Sequence, residues 1–194
     1  MYVALEGIDT AGKSTQIGEL QEKLSTKAIF TKEPGGTKTG SEIRDIVLRG
    51  EMKSAKAEFL LFLADRAEHM QEVVVPNLDK LVISDRSVVS GVAYALVQES
   101  ISETAILHLN RFATDGNYPD ILFLLELTPK ELSFRLSQKE LDGIELRGTE
   151  YLLNIQQALI KAAQLLKIEL VIIDASNPIE EITETIITKI KESR

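Results

Sequence analysis

Near the start of the chain, Gly7-Ile8-Asp9-Thr10-Ala11-Gly12-Lys13-Ser14-Thr15 sets two glycines, a lysine and adjacent hydroxyls at the spacing of a loop that cradles phosphates. Gly7 and Gly12 permit a tight turn, so backbone N–H groups of the loop converge on phosphate oxygens. Lys13 then reaches the β- and γ-phosphates, and Ser14 offers its hydroxyl to Mg²⁺. The apolar run Tyr2-Val3-Ala4-Leu5 before the loop and a helical pattern after it supply the strand and helix that such a loop joins. The chemistry implied is nucleotide handling.

Three further stretches place polar groups where a second ligand could sit. Glu33-Pro34-Gly35-Gly36-Thr37 follows an apolar run, either as a plain structural turn or as a rigid loop bringing backbone close to a ligand. Ser84-Asp85-Arg86-Ser87 ends another apolar run, either as a strand-end ion pair or as an acid and an arginine delivered to the same edge. Phe62 and Arg66 lie at i and i+4 on one helix face, where they form an ordinary helix pair or grip a flat, polar-edged ring by stacking and hydrogen bonding. Ser90 and Tyr94 repeat that spacing downstream, and their hydroxyls can face the same pocket. His69 and His108 have no metal-ligand spacing to other candidates and read as surface or partly packed residues.

The elements that must position these groups follow from periodicity. Apolar runs at 2–6, 27–31, 80–84, 120–126 and 169–173 predict five buried strands. Helical patterns fall at about 13–25, 40–49, 55–75, 88–113 (two helices), 129–139, 148–167 and 178–192. Pro76 ends the third pattern, Thr128-Pro129 and Asn177-Pro178 start later ones. Strands alternating with helices predict an α/β fold: a three-layer α/β/α arrangement around a five-stranded parallel sheet, as a single domain over 1–194 with a short lid at about 135–148. The net charge of −8, from 22 basic and 30 acidic residues, argues against sequence-independent nucleic-acid binding and requires cations to be concentrated locally at any phosphate site. No apolar run is long enough to span a bilayer, no basic stretch with an apolar h-region opens the chain, and there is no cysteine. A cytoplasmic enzyme that engages neither membrane nor nucleic acid fits this composition.

Taken together, these motifs resemble the thymidylate kinase family over nearly the whole chain, and the complete Glu-Pro-Gly-Gly-Thr run is the specific match. The resemblance implies ATP as phosphoryl donor, Mg²⁺ as cofactor, dTMP as acceptor, dTDP and ADP as products for dTTP synthesis, and a homodimer. It implies that Phe62 stacks on thymine while Arg66 hydrogen-bonds its edge, that Ser90 sits near the base and Tyr94 near the sugar 2′ position, and that Arg86 binds the acceptor phosphate. Asp9 would meet the 3′-hydroxyl or order water around Mg²⁺ bound at Ser14, with Glu33, Pro34 and Arg44 alongside. Asp174-Ala175-Ser176-Asn177-Pro178 resembles the loop that meets adenine, or is a strand-to-helix turn capped by Asn177.

Some family members carry a transition-state arginine inside the phosphate loop, where this chain has Thr10. The lid must then supply it, yet Gly143 stands where the resemblance expects an arginine in Leu141-Asp142-Gly143-Ile144-Glu145-Leu146-Arg147. Arg135 is the favoured cation, with Lys139 or Arg147 either assisting it or acting as solvated surface charges. The catalytic set implied is thus Lys13, Arg86, Arg135 and Asp9.

Overall fold

In the computed structural model, which describes residues 1–24, 27–138 and 147–193, five parallel strands form one sheet. They are β1 (Tyr2–Gly7), β2 (Ala28–Lys32), β3 (Leu81–Asp85), β4 (Ile121–Glu126) and β5 (Glu169–Asp174), hydrogen-bonded in the order β2-β3-β1-β4-β5. β1 lies at the centre and is buried along its whole length, which is why it reads as a continuous apolar run with one exception, Glu6. The edge strands β2 and β5 are only partly covered.

Among the described residues, eight α-helices connect and cover the strands: α1 (Lys13–Leu24), α2 (Lys38–Leu48), α3 (Ala55–His69), α4 (Val88–Gln98), α5 (Glu103–Thr114), α6 (Pro129–Leu136), α7 (Thr149–Leu166) and α8 (Ile179–Glu192). α1 packs beside α8, and α4 beside α7 and α5. The core fills the space between sheet and helices with Leu5, Ile83, Phe123, Leu125, Val92 and Ile155, all at most 1% exposed. Thr128 caps α6 by accepting from the Glu131 N–H at 3.2 Å with Pro129 in the first turn, as its sequence predicts.

Two local expectations are corrected. α3 gives up α-helical bonding after His69 and widens into a five-residue π-turn, Met70–Val74, before a short 3₁₀ turn at Val75–Asn77. Pro76 has no N–H to return to the preceding turn and its ring crowds the carbonyl four residues back, so the helix opens before it instead of running to 75. At the start of α8, Pro178 itself occupies the capping position and no side chain caps the helix, so Asn177 is not its cap.

The register sets the site. Gly7, Lys32, Asp85, Glu126 and Asp174 all lie at the carboxyl ends of parallel strands, with Leu5 opposite Asp85, Gly7 opposite Leu125 and Lys32 opposite Asp85. The phosphate loop and the loops after β2 and β3 therefore open on one edge, the edge where open α/β sheets bind ligands. Of the expected lid, residues 139–146 lie outside the described residues, Lys139 and Gly143 among them.

Candidate active site

The phosphate loop turns between β1 and α1 with Thr10 in the left-handed region at φ 70°. Ala11 N–H bonds to the Ile8 carbonyl at 3.2 Å and Gln16 N–H to the Gly12 carbonyl at 3.1 Å, so the loop runs straight into α1. Lys13 folds back over it, donating to the carbonyls of Gly7 at 2.8 Å and Ile8 at 3.1 Å. Its amine is buried, and burial first and the neighbouring Arg86 second lower its pKa to about 8. Ser14 and Thr15 stand exposed on the first turn of α1, where a helix N-terminus favours an anion.

Beside this loop lies a cleft of about 390 Å³. Every residue expected at the acceptor site lines it: Asp9, Glu33, Pro34, Phe62, Arg66, Arg86, Ser90 and Tyr94, with Arg44 alongside. Phe62 and Tyr94 give it apolar walls, and the Tyr94 hydroxyl is buried without a partner among the described residues. Arg86 enters from the end of β3, its backbone left-handed at φ 68°, an uncommon setting for a side-chain-bearing residue. That turn aims its guanidinium at Asp9 Oδ1, 3.0 Å away, and Ser90 Oγ, 3.1 Å away, with the Tyr94 ring 6.0 Å off.

Two buried carboxylates hold this arrangement, and of these the sequence reading named only Glu33. Glu6, on the central strand, accepts from the backbone N–H groups of Ser87 and Ser90 at 2.9 and 3.1 Å and from the Ser90 hydroxyl at 2.6 Å. Burial pushes its carboxyl up against the pull of Arg86 and Ser90. The Ser90 hydroxyl thus gives its proton to Glu6 and accepts from Arg86, which ties the start of α4 to the arginine. Glu33 accepts from Arg66 Nε at 2.9 Å and from His69 Nδ1 at 2.9 Å. Burial would raise the Glu33 carboxyl, but Arg66 and His69 outweigh it and hold it below the usual carboxylate range.

His69 is wholly buried, not at the surface, because Glu33 and Thr31 Oγ1, 2.7 Å from Nε2, satisfy both ring nitrogens. Exposed His108 meets its expectation. Gly36 fits against this network only because it lacks a side chain: a Cβ there would stand 2.7 Å from His69 Cδ2 and 2.6 Å from the Lys32 carbonyl oxygen. Asp65 adds a carboxylate under the same loop, accepting from the Gly35 N–H at 2.8 Å. Glu6 was visible in the sequence as the one acid inside a strand predicted to be buried on both sides. His69 was visible as the residue three beyond Arg66.

Arg135, on α6, reaches the phosphate loop: Nη1 donates to the Thr10 carbonyl at 3.0 Å, Nη2 to the Ala175 carbonyl at 2.7 Å and Nε to Glu131 at 2.8 Å. It therefore joins the loop at the first strand to the 174–178 segment at the last. Arg147 lies over the Tyr151 ring, 4.9 Å from its centre, and donates to its hydroxyl at 3.0 Å. Asp85 carries a buried Oδ1 without a partner among the described residues, near enough to Lys13 to raise its pKa. No cluster of three metal-ligating side chains occurs among the described residues; Mg²⁺ is in general held through one or two carboxylates together with phosphates and water. The exposed Ser14 hydroxyl and the unpartnered Asp85 oxygen are donors of the hard oxygen type that such an ion takes. Among the described residues no helix is long and apolar enough to cross a membrane.

A family model described as "Thymidylate kinase" matches residues 5–186. The chain is 72% identical to a thymidylate kinase of Sulfurimonas denitrificans, over 98% of this chain and 99% of the relative. It is 55% identical to one of Aliarcobacter butzleri over 96% of each. A crystal structure of a thymidylate kinase from Ehrlichia chaffeensis superposes with a TM-score of 0.78 at 26% identity, covering 98% of both chains.

The lowered Lys13 pKa carries a pH signature for triphosphate binding. The lysine is charged below about 8 and neutral above, so affinity of the ligand-free protein for a nucleoside triphosphate falls above pH 8, by roughly tenfold per unit. A titration from pH 6.5 to 9.5 by calorimetry tests it, with Lys13→Arg, which stays charged, removing the slope. A flat wild-type profile up to pH 9.5 contradicts it.

Proposed function

Because the chain belongs to the thymidylate kinase family, we propose that it transfers the γ-phosphoryl group of ATP to dTMP, giving dTDP and ADP on the route to dTTP. The single observation that supports this most is the cleft beside the phosphate loop. It is closed by Glu33 and Pro34, walled by Phe62 and Tyr94, and lined by one arginine toward the base end, Arg66, and one toward the phosphate loop, Arg86. In this reading thymine stacks on Phe62 and bonds to Arg66, Ser90 lies near the base and Tyr94 near the sugar 2′ carbon. Asp9 faces the 3′-hydroxyl, and Arg86 leaves Asp9 to take the acceptor phosphate.

An oxygen of that phosphate forms its bond to the γ-phosphorus as the bond to the β,γ-bridging oxygen breaks and ADP departs. Little covalent help is needed, so the protein's part is alignment and charge neutralisation. Lys13 turns from its loop carbonyls to the β- and γ-phosphates, and Gly7, Ile8, Asp9, Thr10, Ala11, Gly12, Ser14 and Thr15 surround them. Ser14 and Asp85, with Asp9 through water, would hold Mg²⁺, which neutralises phosphate oxygens when bound with the triphosphate. Arg135 supplies the cation that Thr10 does not, since its guanidinium already touches the loop carbonyl.

The protein works in the cytoplasm, where its nucleotide substrates are, and as a homodimer. Phe112 on α5 is 82% exposed and Leu109, one turn before it, is also exposed, an apolar stripe that a second copy would cover. Sedimentation equilibrium is expected to give a dimer, and Phe112→Glu a monomer; a monomeric wild type at micromolar concentration overturns the assembly.

A coupled assay of ADP formation with dTMP, dUMP, dCMP, AMP and thymidine tests the activity. Turnover is expected with dTMP, and with dUMP at about 5- to 150-fold lower efficiency, since a methyl contact gives about 1–3 kcal/mol. ATP hydrolysis that needs no acceptor, or preference for another monophosphate, defeats the reading. Arg135→Ala is expected to lower kcat by at least about a hundredfold while the KM for dTMP stays within a few-fold. Wild-type turnover in that variant removes Arg135 from the mechanism.

A further inference from the structure

Arg66 is committed on two of its three nitrogens, and neither partner is a ligand. Nε donates to Glu33, and Nη1 donates at 2.8 Å to Oδ1 of Asn110, a wholly buried residue on α5. The Asn110 amide cannot turn round. Its Nδ2 donates to the Ile106 carbonyl at 2.8 Å, a group that only accepts, so Oδ1 must face the arginine, a group that only donates. Nη2 has no hydrogen bond to a described residue. It lies against α4 at Gly91, where a Cβ would stand 2.6 Å from Nη2, 2.8 Å from Nη1 and 3.0 Å from Cζ. The guanidinium therefore rests on bare helix backbone that any side chain would fill, and Arg66 and Gly91 line the cleft together.

We infer that Asn110 and Gly91 are positioning residues that set base selectivity by fixing the Arg66 guanidinium in one orientation. An arginine able to swing can offer its fork in several orientations and meet many edges. With Nε and one N–H of Nη1 taken, the plane and direction of the fork are fixed, and its remaining N–H groups, those of Nη2 foremost, are offered at one place in the cleft. That demands an acceptor on the base, which the 4-oxygen of a thymine or uracil ring provides. The 4-amino group of cytosine brings a second donor and leaves the buried guanidinium N–H unpaired, the situation that gives strong rejection. The inference rests on the dTMP reading above and adds how that acceptor is told from its amino counterpart by two residues that act through Arg66.

The test compares steady-state kinetics of wild type, Asn110→Leu, Asn110→Asp and Gly91→Ala with dTMP and dCMP at saturating ATP. Asn110→Leu keeps the branched shape and the number of side-chain heavy atoms, removes the acceptor and frees Nη1. It is expected to raise the KM for dTMP by about ten- to a hundredfold, the value of a hydrogen bond to a charged group, with kcat within about threefold. The dTMP-to-dCMP ratio of kcat/KM falls by at least about tenfold. Asn110→Asp, which restores an acceptor for Nη1, recovers most of the dTMP KM. Gly91→Ala favours the helix locally yet pushes into the guanidinium, so it moves KM and selectivity the same way in protein that circular dichroism shows to be folded. It carries the test alone should Asn110→Leu not fold. Folded Asn110→Leu or Gly91→Ala protein with wild-type dTMP KM and wild-type selectivity overturns the inference while wild-type dTMP kinase activity stands. A wild type that phosphorylates no dTMP overturns the parent reading and this one with it.

Discussion

A carboxylate taken out of water must be given partners, and at the carboxyl edge of this sheet Glu6 and Glu33 impose that requirement on everything around them. Glu6 gathers two backbone N–H groups and two serine hydroxyls at the start of α4, and so determines where that helix begins relative to β1. Glu33 gathers Arg66 and His69 from one face of α3, and so determines how α3 lies against the loop after β2. Removing either acid would leave polar groups buried without partners, a far larger loss than that of a surface ion pair. The walls of the acceptor cleft are consequences of these two satisfied anions.

The same anions answer the problem set by a net charge of −8. A site for two phosphorylated molecules needs cations where the overall field is unfavourable, and each one present is held on a weak or exchangeable partner. Lys13 rests on two neutral carbonyls, Arg135 on two neutral carbonyls and a partly exposed glutamate, and Arg86 on Asp9 and a serine oxygen with buried Glu6 at a longer 3.9 Å. Phosphate oxygens are stronger acceptors than carbonyls, so charge-assisted bonds replace neutral ones when a ligand arrives. Arg66 differs in being hydrogen-bonded directly to a buried acid, Glu33, at 2.9 Å.

Strand and helix periodicity made the layering and the common edge of the three loops legible in the sequence, because each follows from a local pattern repeated along the chain, whereas the central place of the first strand came only with the sheet order. The phosphate loop and the Glu-Pro-Gly-Gly-Thr run were legible for the same reason. What could not be read were partnerships between residues far apart: Glu6 with Ser90 across 84 positions, Arg66 with Asn110 across 44. Periodicity says that Asn110 falls on the buried stripe of α5 with Ile106 and Ala113, but not what waits opposite. His69 was misread as surface or partly packed because its partner belongs to a different loop, and the π-turn after it because a proline's effect on the turn before it depends on how the helix is held.

The missing cation of the phosphate loop shows how sequence and fold divide such a task. Thr10 stands where the family resemblance leads one to look for an arginine, and its backbone adopts the left-handed conformation, with its carbonyl accepting a hydrogen bond from α6. That carbonyl is the one to which Arg135 donates, 125 positions later in the chain. The threonine thus does not merely lack a charge; its backbone presents the acceptor that brings a charge in from α6. The third bond of Arg135, to the Ala175 carbonyl, fastens the same guanidinium to the segment after β5. A single arginine therefore spans the first and last loops of the sheet edge, and any ligand that draws it from Thr10 must loosen the two loops together. In the proposed mechanism, a cation that comes from α6 instead of from the loop ties both loops of the donor side into one mechanical unit, a coupling that an arginine within the loop could not create.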